Sequence, residues 1–259
     1  MAFQVRGRRA LVTGASAGIG REIARVLAQR GARLVLAARR RDRLDELAEE
    51  LRAAHGTEVE VVVCDLADPG GARALIDAVD AADLDVLVNN AGIGIHGSGL
   101  DHAWEDEHRM LRINVVAVAE LTKHYGRAMR DRGTGRILQV ASVAAFQPCP
   151  SYAAYGATKA FVLQQAEALD DELRGTDVRV TALCPGTTNT DFFDIAGNVR
   201  NRIQKATSME PDVVARIGVD AMIAGRRIAV TGLGNRIGNL ALRLIPRRLQ
   251  VTLARRVLE

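Results

Sequence analysis

A short apolar run leads straight into a glycine-rich turn near the start of the chain, Ala10-Leu11-Val12-Thr13-Gly14-Ala15-Ser16-Ala17-Gly18-Ile19-Gly20. The apolar run predicts a buried strand, and the helical spacing of apolar residues after Arg21 predicts a helix. Glycines let the backbone turn tightly and approach a pyrophosphate, while the start of a helix supplies free N–H donors and a partial positive charge. This context predicts a dinucleotide-binding turn, although a plain tight turn would also fit the spacing.

Six further apolar runs have the length of buried strands, and stretches with helical spacing separate them. The seven predicted strands are Arg9–Thr13, Arg33–Ala38, Glu58–Cys64, Asp85–Asn89, Arg136–Ala141, Val178–Cys184 and Arg227–Val230. The alternation of strand and helix predicts an α/β, Rossmann-type, doubly wound fold with a seven-stranded, mainly parallel sheet and helices on both faces. Because no linker divides the chain, we predict one dinucleotide-binding domain over residues 1–259, with a basic amphipathic extension at about 235–259.

The composition excludes several classes of protein. Hydrophobic residues make up 48% and charged residues 25%, which is typical of a globular domain. A formal net charge of +4 with only 3% aromatic residues gives no reason to expect nucleic-acid binding. Three cysteines without metal-ligand spacing predict neither a disulfide framework nor a metal site. With no signal-peptide pattern and no apolar run long enough to span a membrane, we expect a cytoplasmic location.

The end of the second predicted strand bears on the choice of cofactor. An acidic residue there would hydrogen-bond the adenosine ribose and repel a 2′-phosphate, but the chain has Ala38 followed by Arg39-Arg40-Arg41. A guanidinium favours a phosphorylated ribose through a charge-assisted contact. We therefore predict NADP(H) over NAD(H), with Arg39 as the main contact. The alternative is a solvated arginine loop ahead of the next helix.

Tyr155 and Lys159 stand four positions apart, and Ser142 precedes Tyr155 by thirteen. If Ser151 opens a helix, the phenol and the ammonium lie on one face and point into the same cleft. A nearby ammonium and a positive nicotinamide ring would lower the pKa of the phenol, which is about 10 in free tyrosine. Ser142, at the carboxyl end of the fifth strand, can hold a substrate oxygen beside Tyr155. This arrangement is typical of proton exchange with a carbonyl or an alcohol.

Six features in this order resemble the short-chain dehydrogenase/reductase family: the TGxxxGxG turn at Thr13–Gly20, Asn89-Asn90-Ala91-Gly92, Asn114, Ser142, Tyr155-x-x-x-Lys159 and Pro185-Gly186. The resemblance implies an NADP(H)-dependent oxidoreductase that moves a hydride between the nicotinamide and a hydrophobic carbonyl or secondary alcohol, such as a ketone, ketoacyl or steroid-like compound. It implies a catalytic set of Asn114, Ser142, Tyr155 and Lys159, with Tyr155 as the general acid and base. A non-catalytic dinucleotide-sensing or scaffold protein on the same fold is the alternative.

The resemblance also implies cofactor contacts along one edge of the sheet. The residues are Gly14, Ser16, Gly18, Ile19, Gly20, Arg39, Asp65, Leu66, Asn90, Ala91, Gly92, Tyr155, Lys159, Pro185, Gly186, Thr188 and Thr190. Asp65 and the backbone of Leu66 would bind the adenine, although Asp65 could instead cap a helix beginning near Pro69. Asn114 would anchor a water that relays protons to Lys159, or would be a hydrogen-bonded polar residue of the core.

The predicted substrate contacts are Ser142, Ala144, Phe146, Tyr152, Tyr155 and Phe192. Most of these side chains are apolar, which favours a hydrophobic substrate. The resemblance implies a homodimer or homotetramer that associates through the helices bearing Asn114 and Tyr155.

Two features near the C-terminus remain outside this site. A second glycine cluster, Thr231–Gly238, has too few residues after it for another strand-helix-strand unit, and we predict a loop or a subunit contact there. Leu240–Leu258 combines helical apolar spacing with arginines and is interrupted at Pro246; the arginines are Arg243, Arg247, Arg248, Arg255 and Arg256. This stretch could bind an anionic membrane, pack on a sister subunit or cover the substrate cleft.

Overall fold

The computed structural model describes residues 3–198 and 200–258; the side chain of Arg256 in the C-terminal stretch lies outside the described part. Within these residues, seven strands form one sheet in the order β3-β2-β1-β4-β5-β6-β7, and every neighbouring pair is parallel. The strands are β1 Arg9–Thr13, β2 Arg33–Ala38, β3 Val59–Val63, β4 Val86–Asn89, β5 Thr134–Val140, β6 Asp177–Cys184 and β7 Ile228–Val230. The predicted doubly wound architecture is confirmed.

Helices cover both faces of this sheet. The helices are α1 Gly18–Gln29, α2 Arg41–His55, α3 Gly71–Ala78, α4 Trp104–Leu111, α5 Val118–Arg132, α6 Ala153–Glu172, α7 Phe192–Ile195, α8 Arg202–Ala206, α9 Pro211–Ile223, α10 Leu233–Leu242 and α11 Arg247–Leu258. Short 3₁₀ helices lie at Ala81–Asp83 and Val143–Phe146, and a π-helical segment lies at Arg112–Ala117. Helices α1, α2 and α9 share one core cluster, whereas α3, α5 and α6 share the other.

The alternation of side chains along each strand explains the two clusters. In β1, Val12 points into the cluster beneath α1, and its neighbour Leu11 points into the opposite cluster. Both side chains are fully buried, as expected for a parallel strand covered on both faces. Since the strand order reverses between β1 and β4, their carboxyl ends flank a crevice in which ligands of open α/β sheets bind.

Two local predictions were wrong. Ser151 does not open the helix that carries Tyr155, because its backbone is left-handed, with a φ of 62°, and α6 begins at Ala153. The second glycine cluster is not a loop: Gly232 turns the chain with a φ of 80° and helix α10 begins at once. The predicted interruption at Pro246 is confirmed, since it separates α10 from α11.

None of the helices in the described ranges combines the length and the apolar character that a membrane crossing requires.

Candidate active site

One continuous cleft runs along the carboxyl edge of the sheet and collects most of the predicted site residues. The predicted residues that line it are Gly14, Ser16, Gly18, Ile19, Arg39, Asp65, Leu66, Asn90, Ala91, Gly92, Ser142, Ala144, Tyr152, Tyr155, Lys159, Pro185, Gly186, Thr188, Thr190 and Phe192. Gly20, Asn114 and Phe146 are predicted site residues that do not line it. The carboxyl ends of separate strands thus supply a single site, as a parallel sheet dictates.

The glycine turn between β1 and α1 has no room for side chains. A Cβ on Gly14 would lie 2.8 Å from Asn90 Nδ2, and one on Gly20 would lie 2.3 Å from the same atom. Gly14 and Gly18 also have φ values of 67° and 54°, which side chains disfavour. Gly20 therefore acts by close packing rather than by facing the cleft.

Asn90 ties the segment after β4 to the glycine turn. Its side-chain Nδ2 donates hydrogen bonds to the carbonyls of Thr13 and Gly14, at 2.9 and 3.3 Å. The hydroxyl of Thr13 accepts from the backbone N–H groups of Asn90 and Ala91, at 3.0 and 3.1 Å, and donates to the carbonyl of Val88. These bonds hold the two loops in one fixed arrangement.

The arginine run after β2 reaches the glycine turn through Arg40, which the sequence did not single out. Its Nη2 and Nε lie 3.0 and 3.3 Å from the hydroxyl oxygen of Ser16. Arg39 also lines the cleft, but its Nη1 lies 3.7 Å from a carboxylate oxygen of Asp65. Burial and the charge of Arg43 lower the pKa of Arg40 below its ordinary value. Positive charge is therefore concentrated where Arg40 meets Ser16.

Asp65 is a turn residue and does not cap the following helix. Its Oδ1 accepts a hydrogen bond from the N–H of Ala67 at 2.9 Å, while α3 begins only at Gly71. Its Oδ2 lies 2.8 Å from Nη2 of Arg109. Burial raises the pKa of Asp65, but the Ala67 bond and the arginine charges outweigh burial and keep the pKa below its usual value. The helix-capping interpretation is therefore wrong.

Tyr155 and Lys159 lie on one face of α6, as their spacing predicted. The Lys159 Nζ is 5.8 Å from the centre of the Tyr155 ring and donates a 2.8 Å hydrogen bond to the carbonyl of Val140 at the end of β5. A Cβ on Gly92 would lie 3.2 Å from this Nζ and 3.3 Å from Oδ1 of Asn114. The glycine thus lets the loop after β4 pass close to the ammonium.

Burial governs the acidity of both groups. It lowers the pKa of Lys159 to about 8, because the charged ammonium is removed from water. It raises the pKa of Tyr155 above its ordinary value, and interaction with the Ser142 hydroxyl partly offsets the increase. The side chains of the site alone therefore do not lower the pKa of the phenol, and the predicted effect of a positive nicotinamide ring stays a prediction.

Asn114 connects the loop after β4 to helix α6 by hydrogen bonds beneath the cleft. It is fully buried, its Oδ1 accepts from the N–H of Ile93, and its Nδ2 donates to the Ile93 carbonyl and to the Thr158 hydroxyl. These contacts match the interpretation as a hydrogen-bonded polar residue of the core. Asn114 lies in the π-helical segment, a type of distortion that is frequent at functional sites.

Ser142 lines the cleft at the carboxyl end of β5. It caps the 3₁₀ helix Val143–Phe146, and its Oγ accepts the N–H of Ala144 at 3.1 Å. A hydroxyl has one donor and two acceptor positions, so this cap leaves the O–H available to donate into the cleft.

The segment after β6 lies against α10. A Cβ on Gly186 would lie 2.1 Å from Nδ2 of Asn235, which in turn donates to the carbonyl of Thr231 at 2.8 Å. The Thr188 hydroxyl donates a 3.1 Å hydrogen bond to the carbonyl of Gly186, two residues earlier, and this bond stabilises a local turn in the segment. Asn235 belongs to the second glycine cluster, which places that cluster beside the site.

Aromatic and aliphatic side chains surround the Tyr155 hydroxyl end of the cleft. The ring of Tyr155 lies 5.3 Å from that of Phe192 and 5.8 Å from that of Tyr152. The Tyr152 hydroxyl accepts a 2.8 Å hydrogen bond from Asn198, a contact that no sequence motif indicated. Phe146, a predicted substrate contact, lies outside this cleft, because it ends the 3₁₀ helix, packs on the core and faces a groove beside α10.

A sequence profile of the short chain dehydrogenase family matches residues 8–199. The 7beta-hydroxysteroid dehydrogenase of Collinsella aerofaciens is 33% identical over 184 residues, covering 71% of this chain and 70% of the relative. A short-chain dehydrogenase from Sphingobium yanoikuyae, solved with NADPH, superposes with a TM-score of 0.83 at 33% identity over 90% of this chain and 92% of that chain. A short chain dehydrogenase/reductase from Burkholderia phymatum, solved with NAD, has a TM-score of 0.81 at 29% identity over 93% and 94% of the two chains. The chain therefore belongs to the short-chain dehydrogenase/reductase family and is an oxidoreductase of the kind that acts on alcohol and carbonyl groups with a nicotinamide dinucleotide.

Proposed function

We propose that the protein reduces a bulky hydrophobic carbonyl compound with NADPH, or oxidises the corresponding secondary alcohol, with Tyr155 as the general acid and base. The observation that carries the proposal is the convergence of Ser142, Tyr155 and Lys159 on the same cleft as the glycine turn. A dinucleotide held by the turn can reach a substrate held by Ser142 only if both occupy one cleft.

The residues present fit a dinucleotide. The glycine turn offers backbone at positions where a Cβ would collide, next to the start of α1, whose N–H groups attract a pyrophosphate. Gly186 and Thr188 line the same cleft beyond the catalytic residues and would hold the carboxamide end. When bound, the nicotinamide supplies or accepts the hydride.

The chain's own residues supply the proton chemistry. Ser142 would donate a hydrogen bond to the carbonyl oxygen, and Tyr155 would transfer its proton to the same oxygen. Lys159 would hold a ribose hydroxyl and stabilise the phenolate left behind. Asn114 acts as a positioning residue, because its bonds to Ile93 and Thr158 fix the loop and the helix between which Lys159 lies.

The charge around Ser16 favours the phosphorylated cofactor. Arg40 on Ser16 and Arg39 beside it form a positive pair, and Ala38 at the end of β2 supplies no carboxylate to repel a phosphate. Burial first, and then the charges of Arg43 and Arg39, lower the pKa of Arg40, and a bound phosphate would offset the repulsion among these cations. We assign the 2′-phosphate to Arg40 together with Arg39.

The lining around Tyr155 favours a bulky apolar substrate. Its side chains include Tyr152, Phe192 and Ile195, while the only cations among the described lining residues are Arg39, Arg40 and Lys159. Because we assign the two arginines to the 2′-phosphate and Lys159 to the ribose, none of these cations is left to pair with an anionic substrate. The relative named as a 7beta-hydroxysteroid dehydrogenase supports the same substrate class.

Substitution Tyr155→Phe tests the proposal on a panel of hydrophobic ketones and secondary alcohols. Loss of the acid should lower kcat by about a thousandfold, while NADPH binding, measured by fluorescence, stays near the wild-type value. Tyr125→Phe is the matched control, since it removes a hydroxyl that donates to the Val79 carbonyl outside the cleft and should leave kcat of wild-type order. A wild-type protein that binds NADPH but turns over no member of the panel would favour the scaffold alternative.

A further inference from the structure

Helix α10 turns its apolar side away from the protein. Leu233, Ile237 and Leu240 recur on this helix at intervals of three and four residues, and Leu244 follows in the turn after it; their exposures are 71%, 62%, 64% and 88%. Leu242, on the opposite side of the helix, lines a groove against α6. The orientation is the reverse of that expected for a surface helix of a monomer, and exposed apolar surface of this kind marks an interaction site.

The next helix extends this apolar surface. Helix α11 packs on the protein through Gln250 and Ala254, which are 9% and 2% exposed, and this leaves Leu249 and Leu253 exposed. The Gln250 amide donates to the carbonyls of Leu242 and Ile245, at 2.9 and 2.8 Å. These bonds hold α10 and α11 in a fixed bend. We call the six exposed apolar residues the outer stripe: Leu233, Ile237, Leu240, Leu244, Leu249 and Leu253.

Arginines border the outer stripe without acidic partners. Arg236, Arg243, Arg247 and Arg248 are exposed, and none of them forms an ion pair with a carboxylate of the described residues. The stretch from residue 221 to residue 258 contains no aspartate and no glutamate. The surface is thus apolar in the middle and cationic at the rim, and the stretch that forms it carries no negatively charged side chain from residue 221 to residue 258.

These properties favour an anionic lipid surface over a second copy of the chain. A symmetric contact between two copies would bring the same patch against itself and place like charges opposite one another. Lipid headgroups supply the missing negative charge, and the acyl boundary accepts leucine side chains at the depth that an interfacial helix reaches.

From this complementarity we infer that α10 and α11 bind the chain to the surface of an anionic membrane, with the outer stripe facing the lipid. The helices lie in the interface and do not cross it. Since α10 also packs against the 3₁₀ helix Val143–Phe146, the lipid-facing surface is adjacent to a wall of the substrate cleft.

Vesicle co-sedimentation of the full chain tests this inference. The chain should sediment with vesicles of phosphatidylcholine and phosphatidylglycerol and remain in solution with phosphatidylcholine alone. The double substitution Arg243→Glu/Arg247→Glu should weaken binding at least about tenfold, because each basic residue near such a surface contributes roughly a fivefold factor. Leu240→Glu/Leu244→Glu should weaken it to a similar extent.

The matched control, Lys123→Glu/Arg127→Glu, makes the same change of charge at exposed positions of α5 and should sediment like the wild type. Circular dichroism and light scattering of each variant establish folding and mass. Failure of the folded wild type to sediment, or equal binding by all variants, overturns the inference. A lower mass of Leu240→Glu/Leu244→Glu in the absence of lipid, with no effect on sedimentation, would assign the outer stripe to a second copy instead.

Discussion

The ammonium of Lys159 lies 5.8 Å from the centre of the Tyr155 ring, and its hydrogen-bond acceptor is the backbone carbonyl of Val140. Burial penalises its charge, and no carboxylate of the described residues is among the groups that offset this penalty, so the folded chain holds this lysine with a pKa of about 8. The lysine to which we assign a catalytic role is therefore a source of instability in the protein without cofactor.

Lys159→Met should reveal this instability through pH. In the folded state the pKa of Lys159 is about 8, against an ordinary value of 10.5, so between these values the unfolded chain binds more protons and stability rises with pH. Between pH 8 and pH 10, the free energy of unfolding of the wild type should rise by about 2 kcal/mol relative to that of the variant. Urea denaturation at each pH measures the difference. Lys123→Met, at an exposed lysine, should show no such trend.

Arg40→Ala should impair use of NADPH and spare use of NADH. Loss of a charge-assisted contact to a phosphate is expected to lower kcat/KM with NADPH by about ten- to a hundredfold. Arg41→Ala is the control, because Arg41 is exposed and does not line the cleft. Steady-state rates with both cofactors give the answer, and a wild type that prefers NADH would refute the assignment of the phosphate.

The two glycine clusters should respond in opposite ways to alanine. Gly20→Ala places a Cβ 2.3 Å from Asn90 Nδ2 and should lower the free energy of unfolding by about 1–3 kcal/mol. Gly234→Ala and Gly238→Ala meet no atom within 4 Å and lie inside α10, so each should raise it by about 0.5–1 kcal/mol. Thermal and urea unfolding compare the three variants; equal effects would contradict the packing described around Asn90.

Gly186 and Asn235 should behave as a coupled pair. Gly186→Ala forces a Cβ to 2.1 Å from Nδ2 of Asn235 and should weaken both stability and cofactor binding. Adding Asn235→Ala removes the obstructing amide and should restore part of the loss, giving an interaction free energy of about 1 kcal/mol or more. A double-mutant cycle of unfolding and NADPH binding measures it, and strictly additive effects would rule the contact out.

Strand positions were predictable because fully buried strands leave a direct signal. The runs at β1 and β2 were predicted with their observed bounds, and the other strands lie within two residues of the prediction. In a parallel sheet covered on both faces, most strand residues are apolar, so the length and hydrophobicity of a run indicate a strand even where a buried polar residue such as Gln139 interrupts it. Helix starts lack such a signal, and the left-handed Ser151 moved the start of α6 to Ala153.

The features of the site that could not be predicted from the sequence depend on the directions in which individual side chains point. Three consecutive arginines follow Ala38, and composition does not tell which of them turns toward Ser16; the path of the chain into α2 selects Arg40. The direction of the Phe146 side chain is set in the same way by its position at the end of a 3₁₀ helix. A helix of four residues leaves no periodic pattern in the sequence from which this direction could be predicted. Too few residues follow the second glycine cluster for another strand-helix-strand unit, but they are enough for a lone helix, and α10 is one.

The tight fit of Asn235 against Gly186 joins the outer surface of α10 to the segment that would hold the carboxamide. A ligand that tilts this helix would press the Asn235 amide against that segment or withdraw it. If such binding changes the affinity for the cofactor by some factor, thermodynamic reciprocity requires cofactor binding to change the affinity of the helix for its ligand by the same factor.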